Sequence, residues 1–392
     1  MNQSSHVTTS NLLPTVTFAT PHEFAERLIA WQKQFGRHFL PWQNTRDAYR
    51  IWLSEIMLQQ TQVATVIPYY ARFLDRFPDV QTLAAAHADE VLALWAGLGY
   101  YTRARNLHAC AKAVVERHGG IFPVEQSALA DLPGIGRSTA AAITAFANGT
   151  RAAILDGNVK RVLTRVFGIS GFPGEKKIEN QLWALAESLL PQADVAGYTQ
   201  SLMDMGATVC TRSRPLCHAC PVAAQCAALQ LDMVGNLPTR KPRKAVPVRQ
   251  AVLWMLTHEG QILLERRPPA GIWGGLWSLP ENALAEDFTV ADISSELHES
   301  SEFDTLVMQR FSDLGKVEQL TVLPALTHVF THFRLEITPV WLTFRPLFQT
   351  LVLSDAAADS SRWWPISELD EVGVPTPVRK LFELLKTRLV LS

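Results

Sequence analysis

Net charge is almost absent from this sequence, with 36 Lys plus Arg against 37 Asp plus Glu. No apolar stretch approaches the roughly eighteen residues that a membrane span requires. The first twenty residues are rich in Ser, Thr and Asn and contain no Lys or Arg, so nothing there reads as a targeting segment. Internal repeats and low-complexity segments are also missing, and nothing points to disorder or a fibre. What remains is a cytoplasmic protein, nucleoid-associated if bacterial, with no membrane partner and a loose tail over residues 1–20. At 392 residues and 47% hydrophobic content, the chain exceeds what one core usually supports, so two domains are expected.

The charge that cancels overall does not cancel locally. Lys plus Arg against Asp plus Glu is 20 against 17 over residues 1–230, 5 against 1 over 231–250, and 11 against 19 over 251–392. Phosphate neutralisation needs local positive charge, so a basic centre is compatible with nucleic-acid contacts in the first part and the linker. The same asymmetry also describes ordinary solvated surface.

From Phe24 to about Gln225 apolar residues recur at helical spacing, with breaks at Gly97, Gly119, Pro133 and Pro191. This predicts a mainly α domain over residues 21–230. Residues 231–247 combine three prolines with clustered cations and no apolar period, which predicts an extended basic linker. Beyond it, over 248–392, strand patterns appear. Ala251 to Leu256 and Gln261 to Glu265 flank His258-Glu259-Gly260, and Phe333, Leu335 and Ile337 alternate with Arg334, Glu336 and Thr338. A closing helix places Val378, Leu381, Phe382, Leu385 and Leu389 on one face after Pro377, so the second domain is α+β.

Four of the five cysteines, Cys210, Cys217, Cys220 and Cys226, lie within seventeen residues, separated by six, two and five. Four thiolates this close can wrap a metal centre, and disulfides are disfavoured in a cytosolic protein. A zinc ion with four cysteine ligands competes with a cluster, although zinc motifs usually pair two Cys-x-x-Cys units and here only Cys217 and Cys220 are so spaced. Cys110, alone in a helical run, reads as a small core residue. Arg212 and Arg214 lie between the first two ligands, as phosphate contacts or as solvated loop.

Leu132-Pro133-Gly134-Ile135-Gly136-Arg137-Ser138 precedes an alanine-rich run from Ala140. The tight turn and the free N–H groups of the following helix make an anion site. About twenty residues later comes Leu155-Asp156-Gly157-Asn158-Val159, where Asp156 can cap a helix. Earlier, Trp52-Leu-Ser-Glu55-Ile-Met-Leu-Gln-Gln60-Thr-Gln-Val sets one carboxylate among large apolar residues. Burial there would raise its pKa and favour the protonated form that a general acid requires; an exposed helix glutamate is the plainer alternative.

Taken together these motifs resemble the helix-hairpin-helix glycosylases of the endonuclease III superfamily, and the run from Ser54 to Val63 resembles the MutY-type adenine DNA glycosylases almost residue for residue. The resemblance implies a multi-domain protein: a helix-hairpin-helix catalytic domain with one [4Fe-4S] cluster on the four cysteines, and a Nudix-like α+β domain. It implies a monofunctional enzyme of base excision repair that cuts adenine from duplex DNA opposite 8-oxoguanine or guanine, acting as a monomer. Glu55 takes the role of the acid that protonates adenine N7; Asp156, held by Asn158, stabilises the sugar cation. Gly134, Ile135, Gly136, Arg137 and Ser138, with Arg212 and Arg214, take the DNA backbone. Trp42 forms a pocket wall, and Gln60 and Tyr100, the latter in Gly97-Leu-Gly-Tyr-Tyr, intercalate beside 8-oxoguanine.

In bifunctional relatives the position of Ser138 holds a nucleophilic lysine. The serine therefore points to the monofunctional branch, with Lys160 leaving a weak lyase side reaction open. In the second domain Phe330-Thr331-His332 resembles the family's Phe-Ser-His loop, which contacts 8-oxoguanine; threonine keeps the hydroxyl but adds a methyl. No arginine occurs between Arg267 and Arg310, so the Nudix hydrolase box is lost. The alternatives are an endonuclease III-type glycosylase and lyase, and a non-catalytic iron–sulfur DNA-binding protein.

Overall fold

A computed structural model describes residues 18, 22–241, 246–283, 311, 316–345 and 360–391. These fall into two compact units whose boundaries lie after Ala85, Arg105 and Arg243, so that Ala86–Arg105 groups with the C-terminal residues. Among the described residues no helix is long and apolar enough to cross a membrane. Of the tail expected over 1–20, Phe18 is described, and its ring meets Phe24 and Phe167.

The first unit is helical: α1 (Glu23–Phe35), α2 (Ala48–Leu58), α3 (Val63–Arg76) and α4 (Val80–Ala85), then most of α6 (Thr102–His118), after α5 (Ala88–Trp95) of the other unit. There follow α7 (Gln126–Ala130), α8 (Arg137–Asn148), α9 (Gly157–Val166), α10 (Lys176–Ser188), α11 (Val195–Asp204), a π-helical turn over Met205–Val209, and α12 (Ala227–Gln230). Local sequence accounts for the ends that matter. Asp47 caps α2 by accepting the Tyr49 N–H, Asp156 caps α9 by accepting the Val159 N–H, and Gly149 closes α8 at φ 70°, a left-handed position glycine takes without strain. Along α9 the residues Val159, Val162, Leu163 and Val166 are buried in one core with Ala141, Ala142 and Ala145 of α8. Each larger side chain so buried stabilises the unit by roughly 1.5–3 kcal/mol.

The expected linker is anchored at its start. Leu237 is buried in the same core, its carbonyl accepts from Arg165 Nε at 2.9 Å, and Thr239 Oγ1 accepts the Gly171 N–H at 3.2 Å. Residues 242–245 lie outside the described residues.

The second unit is built on one sheet in the order β3 (Trp277–Ser278), β2 (Gln261–Arg266), β1 (Val248–His258), β7 (Arg334–Arg345), β5 (Lys316–Val322). Shorter strands β4 (Glu281–Ala283), β6 (Leu326–Val329) and β8 (Ser361–Pro365) pair with β1, β7 and β2. β1 and β7 run parallel and the other pairs antiparallel. The β1–β2 turn uses Glu259 and Gly260 at φ 45° and 73°, the positive values a tight hairpin demands. The alternation expected through Thr338 stops earlier. Arg334 is exposed and Leu335 buried, but Ile337 to Val340 are all buried, Thr338 included, because this central strand is covered on both faces. The final helix, α13 (Thr376–Leu391), buries Val378, Leu381, Phe382 and Leu385; the side chain of Leu389 lies outside the described residues, as does 284–310, the stretch expected to lack the Nudix box.

Candidate functional site

One long cavity in the helical unit is lined by Trp42, Glu55, Gln60, Ser138, Asp156, Asn158, Lys160 and Arg212, among others. Residues far apart in sequence are thus brought onto one surface. Glu55 reaches it from α2, which also buries Trp52, Leu53, Ile56 and Met57. With apolar packing behind it, the carboxyl is pushed up to about 8, first by burial and then by the charge of Asp156.

Asp156 enters from the N-terminus of α9. Burial raises its pKa as well, but four groups oppose the rise: the backbone N–H groups of Val159 and Asn158 and the cations Arg161 and Lys160. Val159 N–H donates to Asp156 Oδ1 at 2.8 Å. Two carboxyls sharing one poorly solvated space cannot both ionise easily, and the difference in their partners settles which holds the proton. At Glu55 burial raises the pKa with no donor or cation among the described residues opposing it, whereas Asp156 has both. The balance favours the protonated form at Glu55.

The amide of Asn158 does not reach Asp156. Its Oδ1 accepts from Arg161 Nη2 at 2.8 Å, and its backbone N–H faces the carboxylate. Arg161 also donates from Nη2 to Gly206 O at 2.6 Å and from Nε to Cys210 O at 2.8 Å. One turn on, Arg165 donates from Nη1 to Thr211 O at 2.7 Å and to Cys210 Sγ at 3.3 Å, and from Nη2 to Arg212 O at 3.3 Å. Two arginines four residues apart on α9 therefore tie the Asp156 helix to the cysteine loop. Neither was singled out from the sequence, since the partners that tie them to the cysteine loop lie 45 or more residues away. Lys160 Nζ donates to Glu179 Oε1 at 2.7 Å.

The hairpin residues divide between two roles. Gly134 adopts φ 76°, where a Cβ would meet Asn106 Cβ at 2.8 Å, so no other residue fits without displacement. Ile135 is buried and Gly136 caps α8. Ser138 Oγ accepts the Leu155 N–H at 2.9 Å, which fixes the chain one residue before Asp156. Arg137 has protein partners: its guanidinium lies 3.9 Å from the Trp183 ring centre and pairs with Glu187. Arg212 and Arg214 are exposed, and of the two Arg212 lines the cavity. Trp42 is buried with its ring edge-on to Tyr70 at 5.4 Å. Gln60 is exposed at φ 58°, a left-handed conformation that non-glycine residues take rarely and at some strain.

Cys210, Cys217, Cys220 and Cys226 line one small cavity with Arg165, Met205, Val209 and Leu229. Burial pushes the Cys220 thiol up to about 11, and the charges of Cys210, Cys226 and Cys217 add to the rise against an N–H from Val222. Thiolates that penalise one another in an apolar cavity fit a positively charged inorganic centre between them. Among the described residues, no three of His, Cys, Asp and Glu are grouped to hold a single metal ion. Cys110 is buried in α6, its thiol pushed up to about 12 by burial, as befits a core residue.

The second unit holds the other candidates. Tyr100 is 46% exposed at φ 50° in the turn between α5 and α6. Phe330, Thr331 and His332 form the tip between β6 and β7, closed by Phe330 N–H donating to Phe333 O at 2.9 Å. Thr331 and His332 are exposed, whereas Phe330 is half-buried, stacked on Phe333 and packed against Trp273 and His328.

Comparison with known proteins gives two family matches. Residues 53–188 match the HhH-GPD superfamily of base excision DNA repair proteins, and residues 251–384 match the NUDIX domain. The chain is 35% identical to an adenine DNA glycosylase of Buchnera aphidicola subsp. Baizongia pistaciae over 93% of this chain and 97% of that one. It is 34% identical to an adenine DNA glycosylase of Homo sapiens over 92% of this chain and 73% of that one. Among solved structures, a thermostable thymine-DNA glycosylase is 30% identical, covering 54% of this chain and 97% of its own, with a TM-score of 0.49.

Proposed function

Since the chain belongs to the adenine DNA glycosylase family, we propose that it hydrolyses the N-glycosidic bond of adenine opposite 8-oxoguanine or guanine in duplex DNA, leaving an abasic site. The observation that carries this reading is the unequal pair of carboxyls in one cavity, Glu55 keeping its proton and Asp156 supplied with donors and cations.

Adenine inside a duplex cannot be reached, so it must turn out of the stack into the cavity, against the Trp42 wall. Glu55 donates its proton to N7, and the base becomes a neutral leaving group. As the bond to C1′ breaks, positive charge develops on the sugar, and the Asp156 carboxylate stabilises it. Water adds to C1′ and its proton returns to the site. Gln60 and Tyr100 fill the space vacated on the 8-oxoguanine side, and Thr331 and His332 read the lesion. Exposed Arg212 and Arg214, with the hairpin from Gly134 to Ser138, take backbone phosphates. We assign residues 248–392 to recognition and not to nucleotide hydrolysis.

One [4Fe-4S] cluster on the four cysteines would pin the loop that carries Arg212 and Arg214, supplying structure and not adenine chemistry. A lyase outcome is disfavoured by the partners of Ser138 and Lys160. Ser138 is engaged with Leu155, and the Lys160 amine is engaged with Glu179.

The test is a duplex with a single A opposite 8-oxoguanine, incubated with cluster-loaded protein and analysed with and without alkali. The expected outcome is strand breakage that requires alkali, abolished in Glu55→Gln and nearly so in Asp156→Asn. Breaks formed without alkali would instead establish the lyase.

A further inference from the structure

The turn that presents Tyr100 is rigid within itself. Trp95 Nε1 donates to Gly99 O at 3.1 Å, and Arg103 Nη2 donates to Leu98 O and Gly99 O, each at 3.2 Å. The same guanidinium lies 5.2 Å from the Trp95 ring centre and 5.5 Å from that of Tyr100. Tyr100 itself has φ 50°, a conformation a non-glycine residue keeps only where its surroundings hold it, and these bonds hold the turn. Where the turn points is then decided by whatever holds its two helical arms.

Those arms are held by the C-terminal residues of the same unit. Asp89 on α5 pairs with Arg266 at the end of β2. Arg105 on α6 donates from Nη1 to the carbonyl oxygen of Gly274. Gly373 lies against the α5 backbone so closely that a Cβ there would stand 3.0 Å from Ala93 N. Gly274 is itself wedged, since a Cβ on it would meet Pro269 O at 2.5 Å.

The residue before Gly274 is Trp273, held at φ 55°. Its ring packs on Phe330 at 5.4 Å and on His328 at 5.5 Å, supporting the hairpin whose exposed tip is Thr331 and His332. Two consecutive residues thus touch, on one side, the hairpin tip and, on the other, the arm of the Tyr100 turn.

We propose that Trp273 and Gly274 form a strap that couples the Phe330–His332 hairpin to the Tyr100 turn, so that the two elements engage the base opposite adenine as one body. Trp273 is then a positioning residue for Tyr100, although it does not itself meet DNA. The proposal rests on the reading of Tyr100 and of Thr331 and His332 given above.

The experiment uses the full cluster-loaded chain in a Glu55→Gln background, so that duplex binding is measured without turnover. Probes are duplexes with A opposite 8-oxoguanine and A opposite guanine, and hydrogen exchange over residues 97–101 is followed in the DNA-free protein. Trp273→Ala and Arg105→Ala are each expected to weaken binding to A:8-oxoguanine by about fivefold to tenfold, shrink the preference over A:G, and speed exchange at 97–101. Trp273→Phe is expected to restore most of the loss. In a Tyr100→Ala background, Trp273→Ala should cost less than it does alone, because the part of its effect that acts through Tyr100 is already gone. The strap would be overturned by unchanged exchange at 97–101 in Trp273→Ala, or by losses that add fully with Tyr100→Ala. Failure of the parent chain to release adenine would overturn the functional reading, whereas the exchange arm would still report on the strap.

Discussion

Glu55 and Asp156 differ in what surrounds them, and that difference makes the chemistry pH-dependent. In the proposed role Glu55 must carry a proton, and burial pushes its carboxyl up to about 8, so adenine release is expected to be steady near neutrality and to fall as pH rises through about 8. A single-turnover pH profile checks this; a rate that keeps rising above pH 9 would contradict it. The same shift has a sign for stability. A carboxyl whose pKa is raised on folding contributes most below its ordinary value of 4.5, and that contribution is lost as pH rises through about 8. Glu55→Gln is therefore expected to melt higher than the parent at pH 8–9, by a free energy on the order of a few kcal/mol, with the two converging near pH 4. The burial of Glu55 and the cap made by Asp156 were legible in sequence, because both depend on residues within a few positions. The bond from Leu155 N–H to Ser138 Oγ was not, since it joins residues 17 apart across a turn whose path no local pattern reveals.

At the scale of elements, α9 joins the carboxylate to the cysteine loop. Removing Arg161 strips donors from Asn158 Oδ1, Gly206 O and Cys210 O and takes a cation from beside Asp156. Arg161→Ala is expected to destabilise the unit by about 1–3 kcal/mol, since buried acceptors lose their partners. It should also shift the acid limb of the rate profile upward, because Asp156 holds its proton more tightly without the cation; an acid limb at the parent's position would contradict this. Helices were readable here because their apolar spacing and caps are local. The π-helical turn over Met205–Val209 was not, since what it does is bring Cys210 to Arg161 and Arg165 on a different helix. Nor did the sequence announce that Ala86–Arg105 groups with the C-terminal residues. That grouping is made by single contacts such as Asp89 with Arg266, which leave no periodic trace.

For the whole molecule, a net charge of -1 hides a local excess of cations over residues 231–250. Arg212, Arg240 and Lys241 line the cavity with Asp156 and Glu55, and under the proposed function their charge meets the phosphates of the bound duplex. Duplex affinity is expected to fall steeply with salt, and Arg240→Ala with Lys241→Ala should lessen the slope of log affinity against log salt by about 1–2. An unchanged slope would remove both residues from the interface. The composition already placed this basic region between an evenly charged helical part and an acidic C-terminal part. It could not show that Leu237 docks the start of the linker, because a lone leucine among prolines and cations carries no period. Under the proposed function adenine leaves intact, with a proton from Glu55. The most direct measurement is the free base released under single turnover from a duplex with A opposite 8-oxoguanine, identified by mass and quantified against abasic sites. One adenine per abasic site from the parent chain, and none from Glu55→Gln, is the expected result; equal release from both proteins would contradict it.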